Sequence, residues 1–264
     1  MFTNNENILD EYSLEMKYEN EKRRVRVLLP KSYKKTKAKK YPVVYFHDGQ
    51  NIFFDEESYS GISWGLLKTI RDNKDLDEFI SVGIDNSSDR MAEYSPWDFT
   101  YDLEDLDIEK AEGTAYADFV INTVKPFIDR TYRTKKSKKF TYMIGSSAGA
   151  NITAFMGKKY QGKLGGLGIF SLASFIFKDD FKSYIKGSKL KANQKIYINV
   201  GTDEMEASDL SQAYIDQSIS YQEDLIKAGI PLENIRLKII KGHTHSEKDW
   251  AKNLKECLVF LFNR

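Results

Sequence analysis

One cysteine, Cys257, is all the 264-residue chain contains, so no internal disulfide can form. It sits in the apolar stretch ECLVFLF, where a buried packing thiol is expected rather than a reactive one. Long hydrophobic runs are also missing. No stretch approaches the roughly 18 apolar residues that a membrane-spanning helix needs. The amino-terminal MFTNNENILDEYSLEM is polar and acidic and has no apolar segment of a secretory signal. A soluble, cytoplasmic protein is therefore expected. Charge of one sign is absent too: 40 basic and 39 acidic residues leave a net +1. That balance gives no field to gather nucleic acid or an anionic membrane, and neither is expected as a partner. Lysines cluster in PKSYKKTKAKKYP and RTKKSKK, each flanked by strand-like segments, and these runs read as solvated loops.

Nor is there an internal repeat, a low-complexity tract or a Pro/Gly-rich linker to mark a boundary, which argues for one domain over residues 1–264. With 41% apolar and 13% aromatic residues, the chain can bury a large core. Short β-rich runs alternate with helical patterns. Strands are expected at 23–30, 41–49, 79–86, 139–145, LGGLGIFSL, 195–201 and 235–242. Helices are expected over GISWGLLKTIRD, GTAYADFVINTVKPFIDRTYR with a kink at Pro126, ANITAFMGKKY, SDLSQAYIDQSISYQEDLIKAG closed by Gly229, and SEKDWAKNLKECLVFLFN. The segment between LGGLGIFSL and 195–201 reads as poor in helix. Apolar strands alternating with helices imply a mostly parallel sheet covered on both faces. Functional groups then belong on loops at the carboxyl ends of the strands.

One such loop carries a chemical pattern. In TYMIGSSAGAN, Ser147 stands midway between Gly145 and Gly149, with a strand before it and a helix after it. This is the context of a nucleophile elbow, whose tight turn needs small neighbours. Ser146 lacks the symmetric glycine spacing. A serine needs an oriented base to attack, and the only histidines are His47, His243 and His245. The last two follow the final strand in KGHTHSEKDW. Asp203 and Glu204 follow the preceding strand in INVGTDEMEAS. The order serine, acid, histidine is that of an α/β-hydrolase. No carboxylate–histidine cluster with metal-ligand spacing accompanies the HTH pair, so no metal is expected. Asp209 or Ser208 reads as a helix cap. The residue after the nucleophile, Ala148, should supply one backbone N–H of an oxyanion hole.

These segments together resemble the putative esterase family of α/β-hydrolases, which includes esterase D-like enzymes, feruloyl and acetyl xylan esterases, siderophore esterases and mycolyltransferases. The likeness spans roughly residues 20–262. RRVRVLLPKSY is similar to the family's opening strand, and YPVVYFHDGQNIFFD to its YPVLY-HDGQN-F segment. SGISW, VGIDNSSDRMAEYSPW and GTAYADFVINTVKPFIDRTYRT follow in the family's order. GSSAGA stands where the family more often has GSSMGG, GTDE matches GT-x-E/D, and HSEKDW matches H-N-E-x-x-W.

The resemblance implies Glu204 rather than Asp203 as the acid, and His245 as the base, with Glu247 and Trp250 in register. His243 becomes a loop or pocket residue. It places the second oxyanion N–H at Gln50, with His47, Asp48 and Asn51 pinning that loop. His47, Trp64, Arg90 and Tyr94 are implied as pocket residues, with Glu93 and Trp97 on the same loops. The expected activity is cofactor-free hydrolysis of a small-molecule ester with a short acyl or aromatic part, some of them carbohydrate-linked, through an acyl-enzyme. The lack of a long insertion argues against a lidded interfacial lipase. A siderophore trilactone esterase, acyl transfer to an alcohol and a catalytically silent binding protein are the competing readings.

Overall fold

The computed structural model describes residues 2–4, 7–16, 18, 21–99, 110–187 and 189–263. Among the described residues, nine strands form one sheet in the order β1-β2-β3-β5-β4-β6-β7-β8-β9. The first three are β1 (Phe2–Asn4), β2 (Asn7–Met16) and β3 (Glu21–Leu29). They are antiparallel neighbours, and β3 pairs antiparallel with β5 (Ile80–Ile84). From β5 onward every pairing is parallel, through β4 (Val43–Phe46), β6 (Thr141–Ser146), β7 (Gly166–Phe170), β8 (Lys195–Asp203) and β9 (Ile235–Thr244). The architecture is the mostly parallel, helix-covered sheet of an α/β-hydrolase fold.

The central strands β4, β5, β6 and β7 are buried at every position. Their side chains alternate between two cores, as strand geometry requires. Val43, Tyr45, Met143, Leu167 and Ile169 face one core. Val44, Phe46, Tyr142, Ile144 and Phe170 face the other. Two helices, α1 (Leu66–Asp72) and α8 (Glu247–Phe262), close the second face through Leu66, Trp250, Leu254 and Leu258. The first face is covered by α3 (Gly113–Phe119), α4 (Lys125–Thr131), α5 (Ala148–Lys159), α6 (Lys178–Lys186) and α7 (Ser208–Lys227). A short helix, α2 (Arg90–Tyr94), follows β5. No helix among the described residues is long and apolar enough to cross a membrane.

Two local features depart from the sequence expectation, and the expected site of a kink at Pro126 gains detail. The amino-terminal segment, read only as polar, supplies β1 and β2. At Pro126 the chain does not break: α3 continues through a π-turn (Val120–Val124) into α4. The widened turn relieves the contact between a proline ring and the carbonyl one turn earlier. The segment expected to be poor in helix contains the nine-residue α6, because Phe181 and Ile185, four residues apart, both bury against the sheet.

Candidate active site

Ser147 lies between the end of β6 and the start of α5 with φ 58° and ψ −125°. A residue with a Cβ avoids this region unless its surroundings hold it there. Here they do: Ser147 N–H donates to the Phe170 carbonyl over 2.9 Å, and its own carbonyl accepts from Ala150 N–H. A Cβ on Gly145 would fall 2.3 Å from the Gly149 carbonyl oxygen, so strand and helix can approach only through glycine. Ser147 is half-buried, whereas Ser146 is buried in the strand.

Across the sheet, the next loops bring an acid to a histidine. Glu204, 3% exposed, follows β8. Its Oε1 accepts from Ser171 Oγ and from Gly201 N–H, each over 2.7 Å. Its Oε2 lies 2.7 Å from His245 Nδ1. A carboxylate facing Nδ1 places the proton there and leaves Nε2 as the basic nitrogen. The imidazole contacts the Tyr214 ring at 5.0 Å and the Trp250 ring at 5.0 Å, the latter nearly edge-on. Asp203 is exposed and takes its hydrogen bond from Thr202. His243 instead accepts from Asn253. The structure closes no hydrogen bond between Ser147 and His245. The Tyr214 ring lies against the imidazole at 5.0 Å between centroids.

The HSEKDW segment shows why those residue types recur at that spacing. His245 meets Glu204. Glu247, in the first turn of α8, accepts from Asn51 Nδ2 and Ser60 Oγ, tying the helix to the loop after β4. Trp250, one turn on, donates its indole N–H to Ser171 Oγ. Ser246 caps the helix by accepting from Asp249 N–H.

The loop after β4 turns at Asp48, a non-glycine residue with φ 52°. Its carboxylate grips Arg90 in a fork, with Nε to Oδ1 at 2.6 Å and Nη2 to Oδ2 at 2.8 Å. Burial works against the Arg90 charge, but Asp48 holds its pKa above the ordinary arginine value. Arg90 Nη2 also donates to the Ser146 carbonyl. The Gln50 side chain pairs with Asn86, its Nε2 donating to Asn86 Oδ1 and its Oε1 accepting from Asn86 N–H. Among the described residues, neither the Gln50 nor the Ala148 backbone N–H has an acceptor. A Cβ on Gly49 would press within 2.7 Å of Asp85 and the β5 backbone, so this loop is seated directly on the neighbouring strand.

Of the four implied pocket residues, only Arg90 keeps accessible surface, its side chain 28% exposed. Trp64 is buried and packs on Phe170 and Trp250. Tyr94 is fully buried, with its hydroxyl accepting from Asp48 N–H. His47 is buried and its Nδ1 meets the Tyr116 hydroxyl at 2.7 Å. Burial drives its pKa down to about 3, with Arg90 pushing the same way and Asp48 opposing. These three side chains are buried behind the strand-end loops. Glu93 likewise forms a buried ion pair with Arg23 and accepts from Ser87 N–H. Trp97 packs among Phe155, Phe177, Phe181 and Tyr184. Loop position misled there because the apolar rings turn inward.

Ser171 and Tyr214 lie outside the quoted motifs, and Asn86, within VGIDNSSDRMAEYSPW, has no role assigned to it there, yet they contact Glu204, His245 and Gln50 respectively. Among the described residues, no group of three His, Cys, Asp or Glu side chains is placed to hold a metal.

A family model described as "Putative esterase" matches residues 17–261. An uncharacterized Bacillus subtilis protein, YbbA, is 24% identical over 243 residues, covering 92% of this chain and 93% of that one. Among solved structures, a ferulic acid esterase superposes with a TM-score of 0.72 at 18% identity, covering 97% of this chain and 98% of the other. The enterobactin esterase FES from Shigella flexneri gives 0.73 at 16% identity, covering 97% of this chain and 58% of the other. At these identities the structural likenesses establish the fold.

Proposed function

The chain belongs to the Putative esterase family, and from that premise we propose that it is a serine esterase that cleaves carboxylic esters through an acyl-enzyme, with no cofactor. The observation that carries this reading is the 2.7 Å contact of Glu204 with His245 Nδ1, on the same strand-end face as a serine held at φ 58°. Ser147 Oγ attacks the ester carbonyl while His245 Nε2 takes its proton. The Gln50 and Ala148 N–H groups donate to the oxygen that becomes negative. His245 then returns the proton to the leaving alcohol, and water deacylates the enzyme by the same route. Glu204 keeps Nδ1 protonated and stabilises the imidazolium.

Substrates with short acyl or aromatic parts fit this reading, and the likeness to a ferulic acid esterase supports it. A siderophore trilactone is the second reading. It is favoured by the likeness to an enterobactin esterase and by the exposed part of Arg90 beside the elbow, a cation suited to an anionic catecholate. Initial rates on aryl acetates, feruloyl esters and a ferric catecholate trilactone separate the two. Turnover of the first two groups is expected. A preference for the trilactone would establish the second reading, and inertness toward the whole panel would overturn both.

A further inference from the structure

The adjacent parallel strands β4 and β6 each lead into a residue of positive φ, Asp48 and Ser147. The two oxyanion donors follow at once: Gln50 stands two residues after Asp48, and Ala148 directly after Ser147. They lie on separate loops, so their spacing depends on what ties the loops together. Arg90, the first residue of α2, spans both. Its Nε donates to Asp48 Oδ1 over 2.6 Å and its Nη2 to Asp48 Oδ2 over 2.8 Å. The same Nη2 donates to the Ser146 carbonyl over 3.3 Å. That carbonyl shares a planar peptide with Ser147 N–H, which donates to the Phe170 carbonyl over 2.9 Å. The peptide entering the elbow is thus held at both ends, by Arg90 on one side and by β7 on the other.

We propose that Arg90 is a positioning residue for the oxyanion hole, clamping the Gln50 loop to the elbow so that the Gln50 and Ala148 N–H groups converge on one point. The inference rests on the serine-esterase reading above. A guanidinium suits the task because its donors form a rigid fork that serves a carboxylate and a carbonyl together, which a lysine ammonium does not reproduce. Tyr94 completes the seat. Its ring centroid lies 5.2 Å from the guanidinium carbon, and its hydroxyl accepts from Asp48 N–H over 3.0 Å. The charge matters as well. Asp48 is 4% exposed, and a Cβ on Gly149 would stand 3.1 Å from its Oδ2. The carboxylate therefore rests against the first turn of α5, beside Ala148. Left without its cation, that buried anion would oppose the negative charge forming on the substrate oxygen.

The test uses a neutral aryl acetate, which offers Arg90 no anion to bind. It compares wild type with Arg90→Lys, Arg90→Gln and the double variant Asp48→Asn, Arg90→Gln; asparagine tolerates the left-handed backbone at position 48. Acylation and deacylation both pass through an oxyanion, so both slow when its donors drift apart. Arg90→Lys should lower kcat about tenfold, the loss that one ordinary hydrogen bond carries, with KM as in wild type. Arg90→Gln also bares Asp48 and should fall about a hundredfold, the scale of one lost oxyanion donor. The double variant should recover part of that loss, and it carries the test together with Arg90→Lys if Arg90→Gln does not fold. An aryl trifluoromethyl ketone, whose adduct with Ser147 bears the oxyanion, should lose affinity by the same factor as kcat/KM. A merely structural role would lower the folded fraction, followed by thermal melting, and leave the inhibitor's affinity unchanged. That result, wild-type kcat in Arg90→Lys, a raised KM with unchanged kcat, or a double variant no faster than Arg90→Gln would overturn the inference while the esterase reading stands. If wild type itself neither turns over esters nor is labelled by a fluorophosphonate, the esterase reading fails and this inference with it.

Discussion

Trp250 reaches Ser171 over 2.8 Å, indole N–H to hydroxyl, and Ser171 passes its own hydrogen to Glu204 Oε1 over 2.7 Å. A residue one helical turn into α8 therefore braces Glu204 from behind. Trp250→Phe removes one donor from this relay and should reduce kcat/KM by up to about tenfold. Ser171→Ala should be more damaging, because Glu204 Oε1 then keeps only the Gly201 N–H and the buried indole N–H loses its acceptor. Steady-state kinetics on both variants checks the order.

The two adjacent serines should behave differently. Ser147→Ala is expected to abolish turnover and fluorophosphonate labelling, whereas Ser146→Ala retains both, since Ser146 is buried within β6. Labelling that survives in Ser147→Ala, located by peptide mapping, would remove Ser147 from the mechanism.

For the acid and base, the sensitive positions should be Glu204 and His245. Glu204→Gln substitutes an amide that can hold the wrong imidazole tautomer, and a fall of about 10⁴ in kcat is the scale known for such a change. Asp203→Asn should matter far less, because Asp203 is exposed and bonded to Thr202. His245→Ala should lower the rate by orders of magnitude and His243→Ala only modestly. A reversed order within either pair would shift the assignment to the neighbour.

Gln50 separates side chain from main chain. Gln50→Ala breaks the paired hydrogen bonds to Asn86 and should weaken kcat by up to about tenfold through a looser loop. Gln50→Pro also deletes the N–H, a change on the order of 10²–10³ in kcat for an oxyanion donor. Equal, mild effects would exclude Gln50 N–H from the reaction.

His47 makes a stability prediction. The unfolded chain takes up a proton there below about pH 6.5, while the folded chain resists it down to about 3. Between those values the unfolded state binds more protons, so stability rises with pH and is lost on acidification, by up to about 1.4 kcal/mol per pH unit. Denaturant unfolding of wild type and His47→Gln across this window should show a shallower slope in the variant. Identical slopes would mean that His47 titrates alike in both states.

What could be read from the residues follows from how local each determinant is. The elbow is visible because its glycines answer to a contact four residues away, and the alternating strands because their burial has period two. β2 was hidden because NILDEYSLEM lies outside the apolar centre of the sheet and carries charges that remain solvated. α6 was short enough for its Phe181–Ile185 pair to escape notice. Ser171 could not be recognised at all: its φ of 50° and its two hydrogen bonds exist only when β7, β8 and α8 are assembled. His47 and Trp64 on loops, and Tyr94 at the end of α2, are buried side chains, a placement that loop position in the sequence does not reveal.

The three non-glycine residues with positive φ among those described, Asp48, Ser147 and Ser171, stand just beyond β4, β6 and β7, three adjacent parallel strands. Each is held left-handed by bonds that cross to another strand or helix, and none by its immediate neighbours in sequence alone. The backbone geometry at these three positions is therefore a readout of long-range register. A one-residue slip between β6 and β7 would move the Phe170 carbonyl away from Ser147 N–H and release the elbow. Nucleophile labelling would then count only those molecules whose central strands are in their native alignment, which makes it a probe of refolding at single-register resolution.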